Sequence, residues 1–368
     1  MRFRRCSICG VPRIIGRLNR WMPNGAVVNL GNPRYRQIFY EADLLPEIRR
    51  RISEGLGFPV NRIFYEAERN AVREVVKGLL DNPTRKLFLR VPPFKRGTVH
   101  FFHQLAALTG TARSRTVRYK PGSFGVARIR NPWDLDLMAA VVEGAFEALE
   151  NRPYRAFWKE VDGDYLLRVE ATESKPEIAE RLQVDYPPLK DGHFRHHLCP
   201  RCGVPLQLRH LEWREDEGLI VDRRRGIRMI NWEAHSIRRV IRELVAELGE
   251  DVIPIIVGAE RDRTLHMLED LGLTGMRGEE RSQVLQEVLS QLPVYGYGLA
   301  SEVEYTSGGI LRVWVDNPYE ELLMAGRLGA FYEAVEGRRA RIDWSEAGPS
   351  TVSYILSPEK SSAGGEGA

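Results

Sequence analysis

Apolar residues recur at three- and four-residue intervals in several stretches of both halves of the chain, a spacing that predicts amphipathic helices. These stretches are 43–55, 61–80, about 97–109 and 133–150 in the first half, and 235–248, 259–271 and 319–336 in the second. Pro132 and Pro318 stand where the last helix of each half is expected to begin, since proline fits the first turn of a helix.

Shorter stretches alternate between apolar and polar residues, which is the pattern of strands with one buried face. They are residues 25–29, 116–119, 124–129 and 218–222, and a Pro-Gly turn joins the second of them to the third. Further strand pairs are expected to open at Trp158 and Trp344. Helices alternating with hairpins predict a mixed α/β (α+β) fold with antiparallel sheets.

The two halves of the 368-residue chain carry the same short motifs in the same order. CSICGVP (6–12) recurs as CPRCGVP (199–205), and YEA (40–42), AER (67–69) and NPW (131–133) recur as WEA (232–234), AER (259–261) and NPY (317–319). An ordered series of this kind predicts a tandem duplication. We expect one copy over 1–195 and the other over 196–358, forming an internal pseudo-dimer, and a disordered Gly- and Ser-rich tail over 359–368.

In its order of elements each copy resembles the 4-vinyl-reductase-like domain, a small-molecule-binding α/β module. The residues that carry the resemblance are FYEAER (64–69), YGYG (295–298), NPY (317–319) and LMAGRLGAFYEA (323–334). The resemblance implies a ligand-sensing or ligand-carrying fold of the kind found in tetrapyrrole-pathway proteins and in the sensor domains of aromatic-responsive transcription activators. Many members carry a cysteine pair near the end of the domain; neither copy has one, so a metal or redox role at that position does not carry over.

The four cysteines all lie in the two CxxCG motifs, as Cys6, Cys9, Cys199 and Cys202. Two such pairs supply the four thiolates of a closed tetrahedral zinc site, and each following glycine permits the tight turn around the metal. A two-fold axis between the copies would bring the two motifs together. We therefore expect one structural zinc per chain, joining the repeats.

Other uses of these cysteines stay open at this point. Each motif can bind its own metal, and His193, His196 and His197 offer further ligands to the second motif alone. The same four thiolates also fit an iron centre or an iron–sulfur cluster, because thiolate ligands alone do not select the metal. Redox-active pairs are disfavoured, since neither motif joins a strand to a helix as in thioredoxin-like proteins.

Large aromatic residues are numerous enough to line a pocket in each copy, with 13 Phe, 13 Tyr and 7 Trp in the chain. Two matched pairs of positions keep an aromatic ring in both copies, and these are Tyr40 with Trp232 and Phe146 with Tyr332. The same pairs also suit a common core. These four aromatic residues are the predicted contacts for a hydrophobic or aromatic small molecule.

Motifs of catalysis are absent from the sequence, which has no GxxxxGK, GxSxG or HExxH. Glu66 and Glu68 beside Arg69 are candidates for acid–base chemistry, although glutamate near the start of a helix is already favoured by the helix dipole. The sequence thus favours a binding protein for sensing or delivery over an enzyme. A reductase-like enzyme that uses a bound cofactor is a remaining alternative.

Charge is distributed unevenly, with 34 basic and 22 acidic residues up to position 195, and 20 basic and 28 acidic residues after it. Electrostatic attraction between the two halves would explain this distribution. The second hypothesis is a nucleic-acid-associated zinc-ribbon protein, and it rests on four basic residues along one predicted strand: Arg113, Arg115, Arg118 and Lys120.

No apolar run is long enough to span a membrane, and the basic start lacks an apolar signal core. These features predict a cytoplasmic protein.

Overall fold

The computed structural model describes residues 3–80, 92–173, 187–276, 280–306 and 308–359. It confirms a mixed α/β fold with antiparallel sheets. Most of the predicted tail, residues 360–368, lies outside the described residues, whereas the backbone N–H of Glu359 donates to the carbonyl oxygen of Arg339. No helix among the described residues has the length and apolar character needed to cross a membrane.

The helices, in chain order, are α1 (Arg13–Leu18), α2 (Leu44–Leu56), α3 (Asn61–Leu80), α4 (Pro92–Thr109), α5 (Leu135–Glu150), α6 (Ala234–Leu248), α7 (Ile253–Asp270), α8 (Glu280–Tyr295) and α9 (Glu321–Glu336). Seven of them were predicted, but α4 and α7 begin five or six residues earlier than the hydrophobic spacing indicated. Helices α1 and α8 were not predicted. Short 3₁₀ turns occupy Leu206–His210 and Glu250–Val252.

The strands, in chain order, are β1 (Asn19–Trp21), β2 (Val27–Asn29), β3 (Asn32–Glu41), β4 (Arg113–Lys120), β5 (Phe124–Arg130), β6 (Tyr154–Val161), β7 (Asp164–Ala171), β8 (Leu211–Arg214), β9 (Leu219–Asp222), β10 (Ile227–Glu233), β11 (Leu299–Tyr305), β12 (Leu311–Asp316), β13 (Ala340–Gly348) and β14 (Thr351–Pro358). Trp158 and Trp344 were expected at the start of strands, but they lie inside β6 and β13.

The chain forms two compact units. The first contains the described residues of 1–22, 27–186 and 195–255, and the second contains residues 23–26, 187–194 and the described residues from 256 onward. These units differ from the predicted repeats, because residues 196–255 of the second repeat belong to the first unit. The duplication itself stays a prediction from the sequence.

The first unit holds two antiparallel sheets. One has the strand order β1-β2-β3-β10-β9-β8, so strands from the start of each sequence repeat share a single six-stranded sheet. The other has the order β4-β5-β7-β6. The sheet of the second unit has the corresponding order β11-β12-β14-β13.

Helix α5 packs closely on α3 because Gly144 has no side chain. A Cβ atom at Gly144 would lie 2.3 Å from the carbonyl oxygen of Arg69. In the second unit Gly326 of α9 approaches α7 in the same way, with its Cβ position 2.4 Å from the carbonyl oxygen of Val257. Both α5 and α9 begin after an acidic cap, since Asp134 and Glu320 accept from the third backbone N–H that follows, and not directly after the prolines.

Candidate functional site

Each CxxCG motif folds into a tight knuckle with the same backbone hydrogen bonds. In the first, the N–H of Cys6 donates to the carbonyl of Val11 (2.9 Å) and the N–H of Gly10 donates to that of Cys6 (2.9 Å). In the second, Cys199 and Gly203 make the equivalent bonds at 2.8 and 2.9 Å. Both glycines have positive φ, 77° and 72°, which a residue with a side chain rarely adopts.

The two knuckles meet inside the first unit and bring the four cysteine sulfurs into one cluster. The Sγ atoms of Cys6 and Cys199 are 3.6 Å apart, and those of Cys9 and Cys202 are 3.4 Å apart. All four sulfurs lie within 4.8 Å of one another. Because a tetrahedral zinc with Zn–S bonds of about 2.3 Å needs sulfurs about 3.8 Å apart, the cluster has the size and donor set of a metal site.

The thiols of the cluster are in different environments. Burial opposes ionisation of Cys6, but hydrogen bonds from the backbone of Cys9 and Ile8 and from the neighbouring thiols lower its pKa to about 6. Burial raises the pKa of Cys9 and of Cys202. The backbone donors around Cys6 thus already favour the thiolate, the form in which cysteine binds metals.

Contacts between the knuckle segments hold the cluster together. Gly16 of α1 lies against the second knuckle, where a Cβ atom would come within 1.9 Å of the carbonyl oxygen of Cys202. The guanidinium of Arg5 forms an ion pair with the buried Glu215 (3.3 Å), and that of Arg201 donates to the Ser7 hydroxyl. The sequence motif alone gave no indication of these supporting residues.

The histidines that precede the second knuckle are not part of the cluster. Among the described residues, the only group with metal-ligand geometry contains the four cysteines and no histidine. His193 and His197 are exposed, and a ring nitrogen of His196 lies 3.0 Å from the carbonyl oxygen of Met22. The arrangement therefore agrees with one shared site.

The first unit also contains a partly open apolar cavity of about 210 Å³. It lies among α3, α4 and α5 and the inner face of the β4-β5-β7-β6 sheet. Its walls are mainly aliphatic and aromatic, and include Val72, Val75, Val76, Phe102, Ala106, Val141, Ala145, Phe146 and Val169. Such a cavity with few polar groups is typical of small-molecule sites.

Polar side chains are concentrated where the six-stranded sheet borders the cavity. Gln37 and Glu233 line it there, and the Gln37 amide donates to one carboxyl oxygen of Glu233 at 3.3 Å. The other oxygen, Oε2, is buried and has no hydrogen-bond partner among the described residues. Burial raises the pKa of Glu233 to about 8.

A second buried carboxyl, Glu68, lies behind this border. Trp232 and Ser236, which both line the cavity, donate to Glu68 through the indole N–H (3.0 Å) and the hydroxyl. Burial raises the pKa of Glu68 to about 7. Burial also raises the pKa of Glu66, although this carboxyl pairs with Arg69 at 2.8 Å.

His103 of α4 is a further polar residue that lines the cavity. Its two ring nitrogens lie 2.7 Å from the Ser114 hydroxyl and 2.8 Å from the Thr116 hydroxyl. Burial lowers the pKa of His103 to about 4, so the ring is neutral at physiological pH.

The four predicted pocket residues lie in different places. Phe146 and Trp232 both line the cavity. Tyr40 is buried in β3 and does not line it, and Tyr332 lies in the second unit, where its hydroxyl donates to the carbonyl of Gly309 at 2.7 Å. Glu233 was overlooked as a candidate, although it directly follows Trp232 in the repeated WEA motif.

Equivalent positions in the second unit carry larger side chains. Two equivalent backbone hydrogen bonds align the units: the backbone N–H of Trp133 donates to the carbonyl oxygen of Thr111, and that of Tyr319 donates to the carbonyl oxygen of Tyr297. Counting from these contacts and from the strand registers, four cavity residues correspond to bulkier ones: Ala127 to Val313, Val141 to Arg327, Ala145 to Phe331, and Leu167 to Tyr354. Side-chain size therefore explains why this cavity belongs to the first unit.

The site must be interpreted from its own geometry. Compared with known proteins, the chain matches no family model, no curated protein and no solved structure.

Proposed function

We propose that this protein binds a hydrophobic small molecule in the cavity of the first unit, for sensing or delivery, while a zinc ion in the four-cysteine cluster stabilises the fold. The observation that carries the proposal is the apolar cavity of about 210 Å³ with a polar border. The resemblance to 4-vinyl-reductase-like domains points to the same kind of function and is part of the proposal.

The size of the cavity limits the ligand. A dry cavity of about 150 Å³ is enough to hold benzene. A cavity of about 210 Å³ suits a ligand with two fused rings, or a short branched chain of similar volume. Rings such as Phe102 and Phe146 in the wall favour an aromatic ligand.

The polar border favours a ligand with a basic group. Glu41 and Glu260 are the sequence counterparts of Glu233 and Glu68, and each forms an ion pair with an arginine, Arg225 and Arg327 respectively. The counterpart of Arg327 is the cavity residue Val141, so no arginine stands beside Glu68 at that position. Glu233 likewise has no ion pair with any cation of the described residues, whereas its counterpart Glu41 pairs with Arg225. A ligand ammonium beside Glu233 would supply the positive charge that Arg225 supplies to Glu41.

The metal has a structural role in this proposal. Four thiolates complete the coordination of zinc and leave no open position for a substrate. Cys6, Cys9, Cys199 and Cys202 would hold the ion, and its chemistry would be to cross-link the two knuckles. The cavity and its polar residues would perform the binding.

Titration calorimetry with two matched probes tests the proposal. 1-Naphthylmethylamine and 1-naphthalenemethanol have the same size but differ in charge, and we expect both to bind, the amine at least tenfold more tightly. In Glu233→Gln the preference should disappear while binding of the alcohol is kept. Failure of both probes to bind would contradict the proposal that the cavity binds a hydrophobic ligand. Equal binding of both probes to the unmodified protein would contradict only the proposal that the ligand carries a basic group.

A further inference from the structure

The outer face of the β4-β5-β7-β6 sheet carries many cations. Side chains alternate along these strands, so Gly125, Ile129 and Leu167 face the interior and their neighbours face outward. The outward positions include six cations that form no ion pair with any described residue: Arg113, Arg115, Arg118, Lys120, Arg155 and Lys159. All but Arg113 are exposed.

Aromatic rings lie among these cations. Phe124 is flanked by two guanidinium groups, Arg118 at 5.3 Å and Arg168 at 5.4 Å from the ring centre. Phe157 on the edge strand is 46% exposed and has Arg155 at 5.7 Å. Guanidinium planes and aromatic rings are the two kinds of surface on which unpaired bases stack.

The corresponding sheet of the second unit lacks this charge. The outward cations on β12 and β13 are neutralised, since Arg312 pairs with Glu304 at 4.0 Å and Arg341 pairs with Asp343 at 3.2 Å. Glu302 adds a further negative charge on β11. The cationic face is therefore not a general consequence of this sheet architecture, and it accounts for part of the basic excess of the first half of the sequence.

We propose that this cationic sheet face binds single-stranded nucleic acid, with the unpaired arginines and lysines on the phosphates and Phe157 stacked on a base. The combination of spread positive charge with exposed rings is complementary to a flexible polyanion that has free bases. An anionic membrane surface would use the same charge, so vesicle binding is a separate outcome of the test. Arg115, Arg155 and Phe157 do not line the cavity, so the inference can be tested apart from the cavity ligand.

Fluorescence anisotropy of the full chain with a fluorescein-labelled 12-nucleotide oligouridylate tests the inference, with a 12-base-pair duplex as comparison. We expect tighter binding of the single strand and a strong decrease with salt between 50 and 300 mM. Arg115→Ala with Arg155→Ala, neither of which lines the cavity, should weaken binding at least tenfold and reduce the slope of log K against log salt by about 1.4. Phe157→Ala should weaken single-strand binding at least fivefold.

The matched control is Arg312→Ala with Arg341→Ala on the sheet of the second unit, which should bind as the unmodified protein does. Circular dichroism and melting curves verify that each variant is folded. Absence of oligouridylate binding at 50 mM salt would overturn the inference. So would tighter binding of the duplex with no effect of Phe157→Ala, or binding of phosphatidylserine vesicles without binding of the oligonucleotide.

Discussion

Phe39 on β3 lies directly opposite Asn231 on β10, and the two residues are counterparts in the sequence repeat. On either side, Ile38 pairs with Trp232 and Tyr40 pairs with Ile230. Phe39 thus faces its own counterpart, and the two flanking pairs are counterparts of each other, which is the pattern of an antiparallel pair with a local two-fold axis at its centre. The same two-fold relation holds in the cluster, where the Sγ atom of Cys6 contacts that of Cys199 and the Sγ atom of Cys9 contacts that of Cys202.

Removal of one thiol should weaken both the metal site and the fold. In Cys6→Ser the cluster keeps three thiolates, and because metal binding is coupled to folding, we expect loss of bound zinc and a melting temperature several degrees lower. Elemental analysis and thermal denaturation measure the two effects. Ser345→Ala in β13 is the control, since Ser345 is exposed and belongs to the second unit, outside the cluster. Full zinc content with an unchanged melting temperature in Cys6→Ser would contradict a metal that joins the knuckles.

The close approach of α1 to the second knuckle predicts a strong effect of Gly16→Ala. The added methyl group would overlap the carbonyl oxygen of Cys202, which is backbone and cannot move alone. We expect a loss of at least about 2 kcal/mol in the free energy of unfolding, and lower zinc affinity, measured by denaturant titration and chelator competition. Gly97→Ala in α4 is the matched control, because nothing lies within 4 Å of its Cβ position. There the better helix propensity of alanine should leave stability equal or up to about 1 kcal/mol higher.

Filling the cavity should block the ligand without unfolding the protein. Val141→Phe places a ring in the cavity of the first unit, and we expect the affinity for 1-naphthalenemethanol to fall at least tenfold while the melting temperature changes little. Val303→Phe provides the control at an exposed valine that does not line the cavity. Undiminished affinity in Val141→Phe would show that the probe binds elsewhere.

Glu233 should make stability depend on pH. Burial raises the pKa of its carboxyl from the ordinary glutamate value of 4.5 to about 8 in the fold. The folded protein therefore keeps a proton that the unfolded chain loses, and stability should decrease as pH rises from about 5 to 8 and level off above that range.

The variant Glu233→Gln removes this titration while keeping the shape of the side chain. We expect it to be more stable than the unmodified protein at pH 8.5 and to lose less stability between pH 5 and 8. Denaturant titration at several pH values measures both differences. Parallel stability curves for the two proteins would mean that Glu233 ionises as freely in the fold as in the unfolded chain.

Local features of this fold were accessible from the sequence because they depend on nearby residues. The repeated cysteine motifs predicted a four-thiolate cluster, and hydrophobic spacing located α3 and α6 to within one residue. Helix α8 was overlooked, since its apolar residues are interrupted by polar ones and Pro293 lies inside it.

Features that depend on distant pairing were not accessible. Nothing local in β3 indicates that its partner is β10, because the pairing joins residues about 190 positions apart. The cavity likewise results from many small differences in side-chain size between the repeats, such as Ala145 against Phe331, and no single motif records it. Glu233 becomes a candidate only when its unpartnered oxygen is seen at the cavity border.

The position of the four cysteines along the chain has a consequence for biosynthesis. Cys6 and Cys9 are synthesised about 190 residues before their partners, Cys199 and Cys202. At translation rates of about 5–20 residues per second, the second thiol pair is synthesised roughly 10–40 s after the first. During that interval the nascent chain offers a two-coordinate, oxidation-sensitive thiol pair, so metal supply and redox conditions during synthesis would determine how much protein acquires a complete centre.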